Sequence, residues 1–340
     1  MNDQTRVLVV DDSSTMRRLI RAVLETDPKI SVVGEAQDAP SARDLISTEL
    51  VDVVTLDVEM PGMNGLEFLE RIMRHHPMPV IMVSQHTQSG ASATVEALAR
   101  GAFGCVAKPT LSSEGDPFAD LVDLVHAASR ANVQQQIAHP AYRPCPVPDF
   151  KPNGQIVAIG ASIGGVEALS EILSVFPKNC PPTVITQHMP EGYTQNFAER
   201  LDRTCAPIVH QVTDDTPIEP GHIYLAPGGH EHMEVRLQPQ LKCVLIPGEK
   251  VSGHCPSIDR MFSSCAALKD RVLGVILTGM GKDGAAGLLQ MKEAGARTIG
   301  QSAETCVVHG IAKAATALGA VEEHVDLPDI AKRILQRCSA

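Results

Sequence analysis

Five prolines, Pro140, Pro144, Pro146, Pro148 and Pro152, crowd residues 139–153 of this 340-residue chain. Proline locks φ and has no backbone N–H, so such a stretch can be neither a helix interior nor a central strand. It favours extended polyproline geometry and acts as a semi-rigid spacer. The chain is therefore predicted to divide into a first domain at residues 1–132, a linker at 133–153 and a second domain at 154–340. A length of 340 residues suits two domains at about 100–200 residues each. Charge divides along the same line. Residues 1–130 carry 11 basic and 19 acidic side chains, a net of −8, which leaves −3 of the total −11 for the remainder.

Composition excludes several classes. With 44% hydrophobic and 20% charged residues, the chain can bury full cores. An acidic chain does not displace phosphate counterions on a large scale, and 3% aromatics with no tryptophan leave few stacking platforms. We expect no nucleic-acid binding. No apolar run approaches 18 residues, so no membrane insertion is expected either. The apolar stretch Val7-Leu8-Val9-Val10 ahead of Asp11 is too short for a secretory signal. Nine cysteines without a C-x-x-C pair read as reduced thiols, which suggests a cytoplasmic protein.

In the first domain, β-branched runs at 6–10, 32–35, 51–56, 80–83 and 104–107 alternate with helical patterns at 16–25, 39–48, 65–74, 94–100 and 118–131. That alternation predicts an α/β domain with a five-stranded parallel sheet. Ligands of such sheets bind beyond the carboxyl ends of the strands. At those ends stand Asp11 and Asp12, Asp57, Ser84 and Lys108. Carboxylates gathered at one edge repel one another unless a hard cation such as Mg²⁺ joins them. Met60, Met63 and Met73 read as packing.

The Asp11-Asp12 pair, Asp57 within Leu56-Asp57-Val58-Glu59-Met60-Pro61-Gly62-Met63-Asn64-Gly65, Ser84 and Lys108-Pro109 resemble the receiver domain of two-component response regulators. The resemblance covers about residues 5–130 and implies a flavodoxin-like fold. It further implies that Asp57 accepts a phosphoryl group from a chemotaxis-type histidine kinase. Asp12, Asp57 and the Glu59 carbonyl would hold Mg²⁺, with Asp11 in the same acidic pocket. Ser84 and Lys108 would contact the phosphoryl oxygens. Cys105 stands where receivers usually carry an aromatic residue.

The second domain opens with a β-branched strand, residues 155–159, followed by Gly160-Ala161-Ser162-Ile163-Gly164-Gly165 and a helical pattern at 166–175. Gly160–Gly164 fits G-x-S-x-G, in which small neighbours let a serine stand out at a tight turn. A second run, 183–186, leads into Gln187-His188-Met189-Pro190, and a third, 271–277, leads into Thr278-Gly279-Met280-Gly281-Lys282-Asp283-Gly284. If the strands are parallel, Ser162, His188 and Asp283 meet at one sheet edge. Each has a plainer role open to it: a turn serine, a strand-end histidine, a cap on the helix from residue 285. Together they make a nucleophile, a base and a carboxylate to orient it. Their chain order, Ser…His…Asp, differs from the Ser…Asp/Glu…His of the α/β-hydrolases. Oxyanion donors are expected at the amides of Ile163 and Met280. His230 and His232, with His222 and His254 nearby, fix no third metal ligand by spacing.

These segments, with Tyr224-Leu225-Ala226-Pro227-Gly228, resemble the CheB family of chemotaxis response-regulator methylesterases, over nearly the whole chain outside the linker. The resemblance implies a doubly wound α/β methylesterase domain behind the receiver. It implies a phosphorylation-regulated serine esterase that hydrolyses glutamate methyl esters on chemoreceptor cytoplasmic domains to glutamate and methanol. Deamidation of receptor glutamines is implied for many members. No cofactor is implied for the esterase site. Ile163 replaces the usual threonine after the nucleophile, and Cys255 replaces the usual arginine in His254-Cys255-Pro256-Ser257-Ile258-Asp259. From the residues alone, a receptor-binding adaptor without turnover and an esterase for another methylated protein remain open.

Overall fold

A computed structural model of the chain describes residues 4–85, 87–109, 118, 120–131, 150–237 and 240–340. It divides into two units, Met1–His139 and Pro140–Ala340. Residues 133–149, most of the expected linker, lie outside the described residues.

The first unit runs β1 (Thr5–Val10), α1 (Ser14–Leu24), β2 (Ile30–Ala36), α2 (Ala39–Thr48), β3 (Val53–Asp57), α3 (Gly65–His75), β4 (Val80–Ser84), α4 (Gln88–Ala99), β5 (Gly104–Ala107) and α5 (Leu121–Ser129). Its strands form one parallel sheet in the order β2-β1-β3-β4-β5. Every residue of β3 and β4 is buried, as expected of parallel strands covered on both faces. Met60 lies in the core that this sheet shares with α3, and Met63 and Met73 pack against it.

Side-chain caps fix where the helices begin. Ser13, Asp38, Asn64 and Thr87 accept hydrogen bonds from the amides of Met16, Ser41, Glu67 and Gly90. The Thr87 cap starts α4 six residues earlier than the apolar pattern predicts. Gln88-Ser89-Gly90-Ala91-Ser92 offers small and polar residues with no helical stripe, so the cap was the only local sign of that turn.

The second unit runs β6 (Ile156–Ala161), α6 (Gly165–Ser174), β7 (Thr183–Gln187), α7 (Tyr193–Thr204), β8 (Ile208–Gln211), β9 (Thr216–Pro217), β10 (His222–Leu225), β11 (Glu231–Arg236), β12 (Lys242–Pro247), α8 (Ile258–Cys265), β13 (Val272–Ile276), α9 (Ala285–Glu293), β14 (Arg297–Gln301), α10 (Ile311–Ala317), β15 (Glu323–Val325) and α11 (Leu327–Arg337). Seven strands form a parallel sheet ordered β15-β14-β13-β6-β7-β10-β8. A separate antiparallel sheet, β11-β12-β9, packs its buried Met233, Val235 and Cys243 into the same core as Met261 and Phe262 of α8. The sequence pattern gave no warning of this sheet.

In both large sheets the chain moves outward from its first strand in one direction and then in the other. The strand order reverses between β1 and β3 in the first unit, and between β6 and β13 in the second. Diverging connections leave a crevice beyond the carboxyl ends at such a point. Among the described residues no helix is long and apolar enough to cross a membrane, and the cysteines are free.

Candidate active site

The first crevice holds the acidic residues. Asp11 follows β1 and Asp57 ends β3, so adjacent strands deliver both, and one oxygen each of Asp11, Asp12 and Asp57 lies within 4.8 Å of the others. Lys108 follows β5 and reaches back, its Nζ 2.8 Å from Asp11 Oδ2 and 2.7 Å from Asp57 Oδ2. The Glu59 amide donates to Asp57 Oδ1 at 3.2 Å, and the Ser13 amide to Asp11 Oδ1 at 2.8 Å. Asp11, Asp57, Ser84 and Lys108 are buried, whereas Asp12 faces solvent. A cavity of about 560 Å³ opens here, lined by Asp12, Asp57, Glu59, Asn64 and Gln85 among others. Gly65 allows the α3 end of the loop to close over β3, because a Cβ there would lie 2.1 Å from the Asp57 carbonyl oxygen.

Burial pushes the Asp57 carboxyl up to about 6, with Lys108 opposing the rise and Asp11 adding to it. Burial also disfavours the Lys108 cation, yet its hydrogen bonds to Asp11 and Asp57 prevail and hold the ammonium above its ordinary range.

The second crevice brings together the residues singled out after β6, β7 and β13. Ala161 and Gln187 are register partners on adjacent strands, so Ser162 and His188 leave the sheet side by side. The His188 amide donates to the Ala161 carbonyl at 3.0 Å, and the Ser162 amide to the Thr278 carbonyl at 3.0 Å. Gln187, buried on β7, donates from Nε2 to the carbonyls of both Ser162 (2.9 Å) and His188 (2.8 Å). One side chain thereby ties the two strand ends together. After Ser162 the chain turns at Gly164, whose φ of 76° suits glycine and where a Cβ would lie 2.7 Å from Val307 Cβ. Helix α6 begins directly afterwards.

His188 Nε2 lies 2.8 Å from Asp283 Oδ2, with both side chains buried. In a neutral ring the nitrogen facing a carboxylate carries the proton, which leaves the lone pair on Nδ1. That Nδ1 is buried without a hydrogen-bond partner. Among the described residues Ser162 Oγ also has no hydrogen-bond partner, and neither the Ile163 nor the Met280 amide donates to a protein group.

Asp283 does not cap the helix that follows it. Helix α9 has Gly284 as its N-cap and no side-chain cap, and Asp283 instead meets the N-terminus of α8. Its Oδ1 accepts from Ser257 Oγ (2.8 Å) and the Asp259 amide (3.1 Å), and its Oδ2 from the Ile258 amide (2.8 Å). Burial opposes the charge, but the His188, Ser257 and Ile258 hydrogen bonds outweigh it and hold this carboxyl below its ordinary range. Ser257 is fixed in turn, since its amide donates to His232 Nδ1 at 3.1 Å while His232 Nε2 reaches the Glu249 carbonyl at 2.9 Å. His232 is thus a fully engaged core histidine. Among the described residues the three acidic groups of the first unit form the one cluster with metal-ligand spacing.

The sequence did not reveal Gln187, Ser257, the α8 amides or His254. The last of these stacks on His188 with ring centroids 3.7 Å apart. A serine before a helical stripe with aspartate in its first turn was the legible sign of the α8 cap. The contacts of Gln187 and His254 depend on loops far apart in sequence.

Comparison with known proteins agrees with this architecture. Residues 7–115 match the family described as response regulator receiver domain, and residues 157–334 match the CheB methylesterase family. A protein of Rhizobium etli named protein-glutamate methylesterase/protein-glutamine glutaminase is 55% identical, across 100% of this chain and 98% of that protein. A relative of the same name from Caulobacter vibrioides is 52% identical across 98% of each chain. The crystal structure of the Thermotoga maritima CheB methylesterase catalytic domain aligns with a TM-score of 0.53 at 35% identity, covering 54% of this chain and 98% of that one. A receiver and a switch-point serine crevice in one chain, matched over its whole length at such identity, place this protein in the CheB methylesterase family.

Proposed function

We propose that this protein is a phosphorylation-regulated protein-glutamate methylesterase that also deamidates glutamines, acting in the cytoplasm on the cytoplasmic domains of chemoreceptors. The observation that carries the reading is the His188 ring. Its Nε2 is engaged by a buried carboxylate and its Nδ1 is buried and unpartnered, beside a serine presented at a strand-to-helix turn. The names of the full-length relatives supply the substrate class.

In this reading Ser162 Oγ attacks the ester carbonyl as His188 Nδ1 takes its proton. Asp283 holds the resulting imidazolium and its tautomer. The carbonyl oxygen becomes an oxyanion between the Ile163 and Met280 amides, whose N–H groups have no acceptor to give up among the described residues. Collapse expels methanol, which receives the proton from Nδ1. Water then attacks the glutamyl-serine ester by the same path, returning Ser162 and releasing glutamate. With a glutamine side chain as substrate the leaving group is ammonia.

The first crevice is the regulatory input. Asp57 is the nucleophile toward a histidine kinase's phosphoryl group, and Lys108 and Ser84 are placed to meet its oxygens. The all-oxygen set of Asp11, Asp12 and Asp57 fits a hard cation. Asp12, Asp57 and the Glu59 carbonyl would hold Mg²⁺, which when bound neutralises charge on the transferring group. Lys108, already paired to two carboxylates, supplies a fixed positive charge beside Asp57.

Methanol release from a methylated chemoreceptor preparation tests the reading. Wild-type protein releases methanol and Ser162→Ala does not, and a small phosphodonor raises the wild-type rate but not that of Asp57→Asn. Unchanged receptor methylation in both wild type and Ser162→Ala would point to the adaptor instead.

A further inference from the structure

Asp283 holds one edge of the His188 ring, and its face is covered by another histidine. His254, from the loop between β12 and α8, lies over His188 with ring centroids 3.7 Å apart and planes 15° from parallel. The backbone holds it there: the His254 amide donates to the Val251 carbonyl, and the Val251 amide to the His254 carbonyl, both at 3.0 Å. Three residues on, the same loop supplies Ser257, which binds Asp283. Among the described residues the His254 ring makes no hydrogen bond, and its stack on His188 is a ring-to-ring contact.

We propose that His254 is a positioning residue for the esterase reaction, a neutral aromatic plate that holds the His188 ring in its reactive plane and faces the imidazolium formed during attack. Two properties suit it to this. First, a ring hydrogen-bonded through one nitrogen can still swing about the remaining bonds, and a parallel plate at van der Waals distance removes that freedom. Near-attack geometry is sensitive to such a loss, since small misplacements cost large factors in rate. Second, an uncharged aromatic face attracts a cation, whereas a second cation at this distance repels it.

His254 meets the requirement of neutrality. Burial, with His188 and Lys250 adding to it and Asp283 opposing, pushes the His254 imidazole down to about 4. The titratable groups that act on it are His188, which it stacks on, Asp283 and Lys250. Near neutral pH, His254 cannot serve as a competing proton acceptor or as a repelling charge.

The inference rests on the esterase reading, and the test separates the two. Methanol release from a methylated chemoreceptor preparation is measured for wild type, Ser162→Ala, His254→Leu and His254→Phe. Thermal unfolding of each variant confirms folding. His254→Leu fills the space without a ring and should lose about 10- to 100-fold in kcat, with KM within about twofold. His254→Phe restores the plate and should recover most of that loss. If His254→Leu does not fold, His254→Gln takes its place with the same expectation.

An inactive Ser162→Ala beside an unimpaired His254→Leu overturns the plate and leaves the esterase standing. Equal losses in Leu and Phe also overturn it, because they assign the role to a ring nitrogen. A rise in KM alone moves His254 to substrate binding and likewise overturns the proposal. A fully active Ser162→Ala overturns the esterase reading itself.

Discussion

Two carboxylates, Asp57 at the end of β3 and Asp283 in the loop after β13, each line the crevice of their own unit, and their surroundings drive them apart. Asp57, beside the reversal of strand order in the first unit, is pushed up to about 6; Asp283, beside the reversal in the second, is held below its ordinary range. Burial acts on both in the same direction, so the difference lies in the donors. Asp57 shares one lysine with Asp11 and adds a single amide. Asp283 receives a histidine, a hydroxyl and two amides. The carboxylate proposed to react is the under-coordinated one, with a cavity beside it. The carboxylate proposed to orient a base is saturated.

Substitution puts the contrast between the two carboxylates to the test. Ser162→Ala should lower methanol release by at least about 10⁴-fold, because the nucleophile and base act as a unit. Asp283→Asn should cost about 10³- to 10⁴-fold through loss of the His188 tautomer. It should also lower the thermal midpoint of the second unit, since α8 loses an acceptor for its first amides. Asp57→Asn should do the reverse in the first unit: it abolishes the response to a phosphodonor yet raises stability at pH 7 by about 1–3 kcal/mol, by relieving a carboxylate that burial disfavours. Urea unfolding followed separately for the two units measures both effects. If Asp283→Asn leaves stability unchanged, or Asp57→Asn lowers it, the contrast fails.

The smallest expected effect is a pair of opposite pH slopes. Asp57 has a raised folded value, so the folded first unit binds more protons than the unfolded chain between about pH 4 and 6. Its cost to stability is fully present above about pH 6 and disappears as pH falls through that window. His254 has a depressed folded value of about 4, so the unfolded chain binds the proton first. Its contribution is intact above about pH 6.5 and is lost as pH falls toward 4. Subtracting the slopes of Asp57→Asn and His254→Phe from wild type isolates the two terms, which should have opposite signs.

How far the sequence foretold these sites follows from what a strand end exposes. Asp11, Asp57 and Lys108 stand directly after β-branched runs, and Ser162, His188 and Asp283 stand in the turns that follow such runs, where a parallel sheet gathers them. Their convergence therefore needed only the strand pattern. Gln187 looked like one more strand residue, although a buried amide before a histidine was a usable hint. The link from Asp283 to α8 and the stack of His254 on His188 join loops distant in sequence, where no periodicity operates. Asp283 was read with a cap on the adjacent helix as its plainer role, because sequence proximity cannot show which of two helix termini a carboxylate meets. The β11-β12-β9 sheet escaped for a related reason. β9 is two residues long, and β11 begins Glu-His-Met-Glu, too polar to stand out as a buried strand.

The saturated state of Asp283 has a bearing on how this chain could change over generations. The carboxylate that meets His188 also anchors the start of α8, so in the proposed reading the residue answers to two selective demands at once. A lineage that no longer needed ester hydrolysis could exchange Ser162 freely, since its hydroxyl holds nothing else in place. It could not exchange Asp283 without loosening a helix packed in the core. Descendants that have become binding proteins should then be recognisable by a missing serine and a retained aspartate, a relic of the chemistry preserved by the architecture.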